Sequence, residues 1–521
     1  MYLFLLLLAG LQAGLPNQGL DVLHYGFSLQ LTDASDRING DALVRFKARR
    51  AAKEVTFDLV GVHGAEQKGM LVSKVTQGAH QLDFTHQGDL VIVHFKQALV
   101  SEHVYEIHIH YGGIPADGLI ISQNRYGERT FFADNWPDRA HHWLPCVDHP
   151  SDKATNSFVV EAPSQYKVVA NGTLVSETQT AGGSKRTEWV TKVAIPTKVM
   201  VVGVAQFSVQ QLQESRGVPI SSWVFPQDAE RGFRSFAVAV PVVAWLTDYI
   251  GPFPYAKLAN VQSCTRFGGM ENAGAIFYYE QVFESEADGL VAHEVAHQWF
   301  GDSVSEADWP HIWLSEGFAT YFSWRYLAAI KGPQAMQQSL QKARERILAF
   351  AEAHPGATVV RTEADRLNYL GAYSYQKAGY MLHMLQQRIG ETAFQESIRT
   401  YYRRYRDSNA ESSSFQTVVQ EVSGENLERF FGQWLRQPGQ PGLTVTCNYQ
   451  ASDKTLNVTV DQDPQHLYEL HLPLLVEGVG AHMLKITQQS QTFQLPSPTA
   501  GPVTVNPGGA LLLERLTVIE K

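Results

Sequence analysis

The chain has 521 residues, too many for one ordinary hydrophobic core, and its 44% hydrophobic, 18% charged and 11% aromatic content is that of a packed globular protein rather than a disordered one. A formal charge of −10, with no cluster of Lys and Arg, speaks against a nucleic-acid surface. The three cysteines, Cys146, Cys264 and Cys447, are far apart and lack CxxC spacing, so they form neither a disulfide framework nor a thiolate metal site.

Residues 1–20 open on "MYLFLLLLAGLQAG", a short apolar run followed by small residues. That pattern suits a secretory signal peptide, although no Lys or Arg precedes the run and the first charge is Asp21. Export is the expectation, with a cytoplasmic location as the alternative. The run is too short to cross a bilayer and no later stretch of about twenty apolar residues follows, so no stable membrane span is expected. Residues 21–207 show period-two alternation broken by turns, as in "GDALVRFKAR", "DLVIVHFKQALV" and "YKVVANGTLVSE", which predicts a large β domain.

The texture changes after Pro219. "RSFAVAVPVVAWLTDYIG", "DGLVAHEVAHQWFG", "PHIWLSEGFATYFSWRYLAAIKG" and "AYSYQKAGYMLHMLQQRIG" have helical spacing, and several stop at Gly as helix C-caps do. Residues 208–440 are therefore read as a mainly helical domain. "RQPGQPG" breaks the chain, and residues 441–521 alternate again over short strands, which predicts a small C-terminal β-sandwich. The fold class is α+β multidomain.

In "LVAHEVAHQWFGD", His293 and His297 stand four apart, so on a helix they project from one face and can share a cation at about 2.0–2.1 Å, the zinc–nitrogen distance. Glu294 points to the side, where it can hold a water without ligating the metal. With 19 histidines in the chain, luck alone would produce one HExxH in about one such chain in thirty. A catalytic zinc also needs a third protein ligand and an open position. Glu316 in "WLSEGFATYF" is the candidate, with eighteen residues between it and His297 and with Pro310 suited to the first turn of its helix. Upstream, "TRFGGMENAGAIFYYE" places Gly268 and Gly269 where a backbone can approach a ligand, followed by Met270, Glu271 and Asn272. Glu271 in an apolar strand is costly to bury unless a cation such as a substrate ammonium offsets it.

HEVAH, eighteen residues, then Glu within WLSEGFA, preceded by GGMEN and flanked by HQWFGD and LPCVDHPSDKAT, resembles the gluzincin aminopeptidases, the family of aminopeptidase N and the leukotriene hydrolase. The likeness spans essentially the whole chain, except that the large helical C-terminal domain of well-known relatives has no counterpart here. The resemblance implies one zinc ion per chain, held by His293, His297 and Glu316, with Glu294 as the base. It implies that Glu271 binds the substrate α-amine and that Gly268 and Gly269 line the cleft. A Tyr-Glu-Lys-Gly pattern of the family matches "YSYQKAG", making Tyr375 the counterpart of its oxyanion tyrosine, with Tyr373 and Tyr380 close by. The family's second amine-binding residue falls on Trp136, which cannot accept that bond; Asn135 and Asp134 are the nearest polar substitutes.

The implied activity is zinc-dependent removal of N-terminal residues from peptides with a free N-terminus. A metalloendopeptidase with an open cleft, and an inactive metal-containing binding protein, are the alternatives. The sequence leaves the oligomeric state, side-chain preference and physiological substrate open. His108 and His110 share a strand face but are more simply solvated; His141, His142 and His149 are read as structural. Asn171 in "NGT" and Asn457 in "NVT" fit the glycan acceptor pattern, though Asn-Gly is first of all a hairpin turn.

Overall fold

The structure, a computed structural model, describes residues 19–521 apart from 283–286 and 466, so the signal-like N-terminal run lies outside the described residues. Two compact units emerge: one contains the chain up to Asp308 together with Tyr405–Asn409, the other Trp309–Arg404 and Ala410–Lys521.

The first unit is built on a ten-stranded sheet in which Leu20–Gln30 lies between Lys153–Pro163, to which it runs parallel, and Ile38–Ala48, to which it runs antiparallel. Alternation explains its faces: Tyr25, Phe27 and Leu29 are buried while Ser28 and Gln30 are exposed. The period slips once, between Val22 and His24, where a bulge lets Val22 and Tyr25 both face inward although three residues apart. The Asn171–Gly172 pair is not a hairpin. Lys167–Ala170 and Thr173–Gln179, on its two sides, belong to different sheets, and Gly172 takes φ +74° to make the change of direction.

The stretch after Pro219 differs from the expectation of helices. Ile220–Val224, Leu258–Ser263 and Ala275–Tyr279 are parallel neighbours in a five-stranded sheet, with Gly269–Met270 as its antiparallel edge. Every residue of Leu258–Ser263 is buried. A strand covered on both faces carries no alternation, which is why the sequence pattern concealed it. Three helices accompany this sheet: α1 (Ala229–Phe236), α2 (Ala239–Ile250) and α3 (Asp288–His297). Among the described residues one helical stretch, Pro226–Ile250, is long and apolar enough to cross a membrane by composition. It is divided into a short 3-10 turn, α1 and α2, and Val242, Val243 and Leu246 of α2 are buried in the unit.

The second unit contains α4 (Trp313–Lys331), α5 (Pro333–Ala353), α6 (Ala378–Ile389), α7 (Glu391–Tyr405, its last residue in the first unit), α8 (Ser412–Ser423) and α9 (Glu428–Arg436). Gly332 separates α4 from α5 at φ +88°, and Pro333 follows at the first position of α5, where its missing N–H costs nothing. Beyond α9 come a four-stranded and a three-stranded sheet. Leu443, Val445 and Cys447 on one, and Leu470, Leu472 and Leu474 on the other, bury alternate positions as a sandwich requires.

Candidate active site

Helix α3 carries His293, Glu294 and His297, and Val291, Ala292, Val295 and Ala296 around them are buried, so the helix is enclosed almost all round. The Nε2 atoms of His293 and His297 stand 3.0 Å apart, with the rings at 83°. His297 Nδ1 lies 3.1 Å from the Phe300 carbonyl. A carbonyl only accepts, so Nδ1 is the protonated nitrogen and the neutral ring turns the lone pair of Nε2 toward His293. Two nitrogen ligands of a tetrahedral zinc lie about 3.3 Å apart. The pair therefore fits a shared metal ion, which offsets the repulsion of two facing lone pairs.

The carboxylates of Glu271 and Glu294 join His297 in a buried group whose ligand atoms all lie within 4.8 Å of one another. Two carboxylates this close disfavour joint ionisation unless cations accompany them. Gly269 explains why a glycine precedes Met270. A Cβ there would stand 2.3 Å from Glu294 Oε1 and 2.5 Å from its Cδ, so any side chain would push the carboxylate aside. Gly268 differs: a Cβ would meet nothing within 4 Å, and its carbonyl accepts from Tyr279 N at 3.1 Å. Met270 and Asn272 are buried, and neither polar end of the Asn272 amide has a hydrogen-bond partner among the described residues.

Sequence reading missed the charges beneath this group. Lys198 Nζ donates to Glu306 Oε1 at 2.5 Å, both side chains being buried. Burial pulls the Lys198 pKa down, but Glu306 and Glu271 outweigh it and hold the ammonium above its usual range. Lys153 Nζ donates to the carbonyls of Asp302 and Ser303, just past α3, and burial brings its pKa down to about 7. Burial, reinforced by Glu271, raises the Asp302 carboxyl well above the ordinary range. No periodicity marks Lys198, since a lysine in a strand-rich sequence reads as surface.

In the second unit Glu316 is buried in the first turn of α4. The helix starts later than Pro310 suggested. Trp309–His311 form a separate 3-10 turn and α4 begins at Trp313, so Glu316 sits near the helix N-terminus, where its charge is favoured. A Cβ on Gly317 would stand 2.5 Å from Ala378 Cβ, so α4 and the start of α6 touch there. That contact holds the preceding π-helical turn, Tyr373–Lys377, against the same unit's Glu316 segment. Tyr373 OH accepts from Gln440 Nε2 at 2.9 Å and Tyr380 OH donates to the Gly509 carbonyl, both tyrosines being buried. Tyr375, half-buried, is the one of the three that keeps a part-exposed side chain.

The remaining candidates have other duties. Asn135 Nδ2 donates to the carbonyls of Thr197 and Met200, and its oxygen accepts from Trp143 Nε1. Asp134 is ion-paired with Arg139 at 2.7 Å. Both proposed substitutes for the family's second amine ligand are thus committed elsewhere. His141 Nδ1 lies 2.7 Å from Asp148, and His149 Nδ1 lies 2.7 Å from Ser151. His108 and His110 each face one oxygen of Asp41, at 2.9 and 2.5 Å. Asn171 is buried and its amide donates to the carbonyls of Val199 and Ala273, which leaves it inaccessible to a glycan.

Residues 22–199 match the Peptidase M1 N-terminal domain and residues 235–434 the Peptidase family M1 domain. Mouse glutamyl aminopeptidase is 26% identical over 351 residues, covering 64% of this chain and 37% of its own length. The probable aminopeptidase 1 of Sulfurisphaera tokodaii is 25% identical over 464 residues, covering 84% of this chain and 56% of its own. The chain thus spans only about a third to a half of these curated relatives. An M1 zinc metallopeptidase from Deinococcus radiodurans shares the fold with a TM-score of 0.68 at 22% identity, covering 81% of this chain and 95% of that one.

Proposed function

The chain belongs to peptidase family M1, and from that premise we propose that it is a zinc-dependent aminopeptidase releasing single residues from the free N-termini of peptides. The observation that carries the reading is the pair of His Nε2 atoms 3.0 Å apart beside the buried carboxylates of Glu294 and Glu271. On the family resemblance, His293, His297 and Glu316 would hold the ion. The chemistry a zinc ion supplies when bound is Lewis acidity, which acidifies water and polarises a carbonyl.

The chain's own residues do the rest. Glu294 takes a proton from the attacking water as its oxygen bonds to the scissile carbonyl carbon, and returns that proton to the leaving amine as the C–N bond breaks. Tyr375 donates a hydrogen bond to the oxyanion that forms between those events. Glu271 accepts from the substrate α-ammonium, whose charge relieves its crowding with Glu294. The backbone at Gly268 and Gly269 would line the cleft, Gly268 bordering open space and Gly269 leaving room for the Glu294 carboxylate.

Amine recognition separates this reading from an endopeptidase. An aminoacyl arylamide should be cleaved, its N-acetylated form should be cleaved at least about a hundredfold more slowly because Glu271 then stays buried and unpaired, and a chelator should abolish both. Equal rates on the two substrates, or activity that survives complete demetallation, would overturn it.

A further inference from the structure

Gln298, the residue immediately after the second histidine, is fully buried, and its side chain bridges two elements of the site. Its Nε2 donates to the Glu271 carbonyl at 2.7 Å and to Asp302 Oδ2 at 3.0 Å, and its Oε1 accepts from Gly274 N at 2.7 Å. Both amide hydrogens and the oxygen are used. The two backbone contacts fall three residues apart, at the beginning and end of the turn that carries Glu271, Asn272 and Ala273. Asn171 Nδ2 and Lys257 Nζ steady the same turn from the other side, at the carbonyls of Ala273 and Gly274. Gln298, at the C-terminal cap of α3, ties the turn to the helix that bears Glu294 and both histidines.

We propose that Gln298 is a positioning residue that sets the distance from the amine anchor Glu271 to the base Glu294, and so fixes cleavage one residue from the N-terminus. The proposal rests on the aminopeptidase reading above. The physical reason is that no other amino acid of this length offers two donors and an acceptor in one plane. Glu keeps the acceptor for Gly274 but replaces the amide donor with an oxygen, so the Glu271 carbonyl faces a carboxylate in place of an N–H. Met keeps the volume and loses all three bonds. In either case the Glu271 turn is free to shift against α3, and a displacement of about 1 Å at a reacting group can cost about a hundredfold in rate.

The test is a double-substitution cycle on the zinc-loaded protein, using free and N-acetylated aminoacyl arylamides. Gln298→Glu and Gln298→Met should keep one zinc per chain and lower kcat/KM for the free-amine substrate by about ten- to a hundredfold. The ratio of free to acetylated rates should fall toward that of Glu271→Ala, and neither substitution should reduce kcat/KM further when Glu271 is already Ala. A fully multiplicative loss in the Glu271→Ala background, an unchanged free-to-acetylated ratio, or loss of fold in both variants would overturn the positioning role. If Glu271→Ala itself leaves the amine preference intact, the aminopeptidase reading fails instead, and the two failures are told apart by that single variant.

Discussion

At the scale of single residues, the site depends on close approaches that admit no substitute. Gly269 yields its Cβ position to the Glu294 carboxylate, whereas Gly268 beside it stands in open space, so of two glycines that look alike only one is demanded by sterics. The tyrosines divide in the same way. Tyr373 and Tyr380 pair their hydroxyls with Gln440 and the Gly509 carbonyl, and the proposed mechanism takes Tyr375 as the oxyanion donor. Tyr375→Phe is therefore expected to lower kcat by about a hundredfold or more with KM nearly unchanged, as loss of an oxyanion donor does. Tyr373→Phe should leave kcat within a few-fold and lower stability by about 1 kcal/mol, the worth of one buried hydrogen bond. Steady-state kinetics and denaturant melts of the two variants decide between them; the reverse pattern would make Tyr373 the oxyanion donor.

At the scale of elements, the π-helical turn Tyr373–Lys377 ends on a buried lysine. Lys377 Nζ donates to the Gly439 carbonyl at 2.9 Å and lies 4.3 Å over the Tyr373 ring, and burial brings its pKa down to about 7. In the unfolded chain a lysine holds its proton to about pH 10.4. Between those values the unfolded state binds more protons than the folded one, so this group makes stability rise with pH above 7 and imposes its full cost below. The difference in melting temperature between the wild type and Lys377→Met should accordingly be flat below pH 7 and move in favour of the wild type up to pH 10. A difference that falls over that interval would show the lysine to be stabilised as a cation. The elements also show where sequence reading succeeds. HEVAH proved helical with both imidazoles on one face, because i and i+4 spacing fixes that geometry locally. Glu316 landed on a helix as expected, yet in its first turn, since the Trp309–His311 turn intervened. Leu258–Ser263 and Ala275–Tyr279 escaped notice because strands buried on both faces lose the alternation that identifies them.

At the scale of the whole molecule, the α+β multidomain class was legible, since long runs of period-two and helical spacing follow each other in blocks. What the sequence could not show was contact between distant blocks. Lys198 reaches Glu306 across more than a hundred residues, and Lys153 reaches the carbonyls behind α3 from the β domain. Such partners leave no local pattern, and a buried lysine looks in sequence like an exposed one. Gln298 was visible in HQWFGD, but its partners Glu271 and Gly274 lie on a turn whose fold only the structure supplies.

The central claim is that His293, His297 and Glu316 share one zinc ion while Glu294 stands beside it without binding. Zinc per chain, measured by elemental analysis after exhaustive dialysis, tests it most directly on Glu316→Ala and Glu294→Gln together. Glu294→Gln should retain one zinc and lose about a hundred- to ten-thousandfold in rate, while Glu316→Ala should emerge depleted of metal. Full zinc occupancy in Glu316→Ala, or a metal-free Glu294→Gln, would contradict the account.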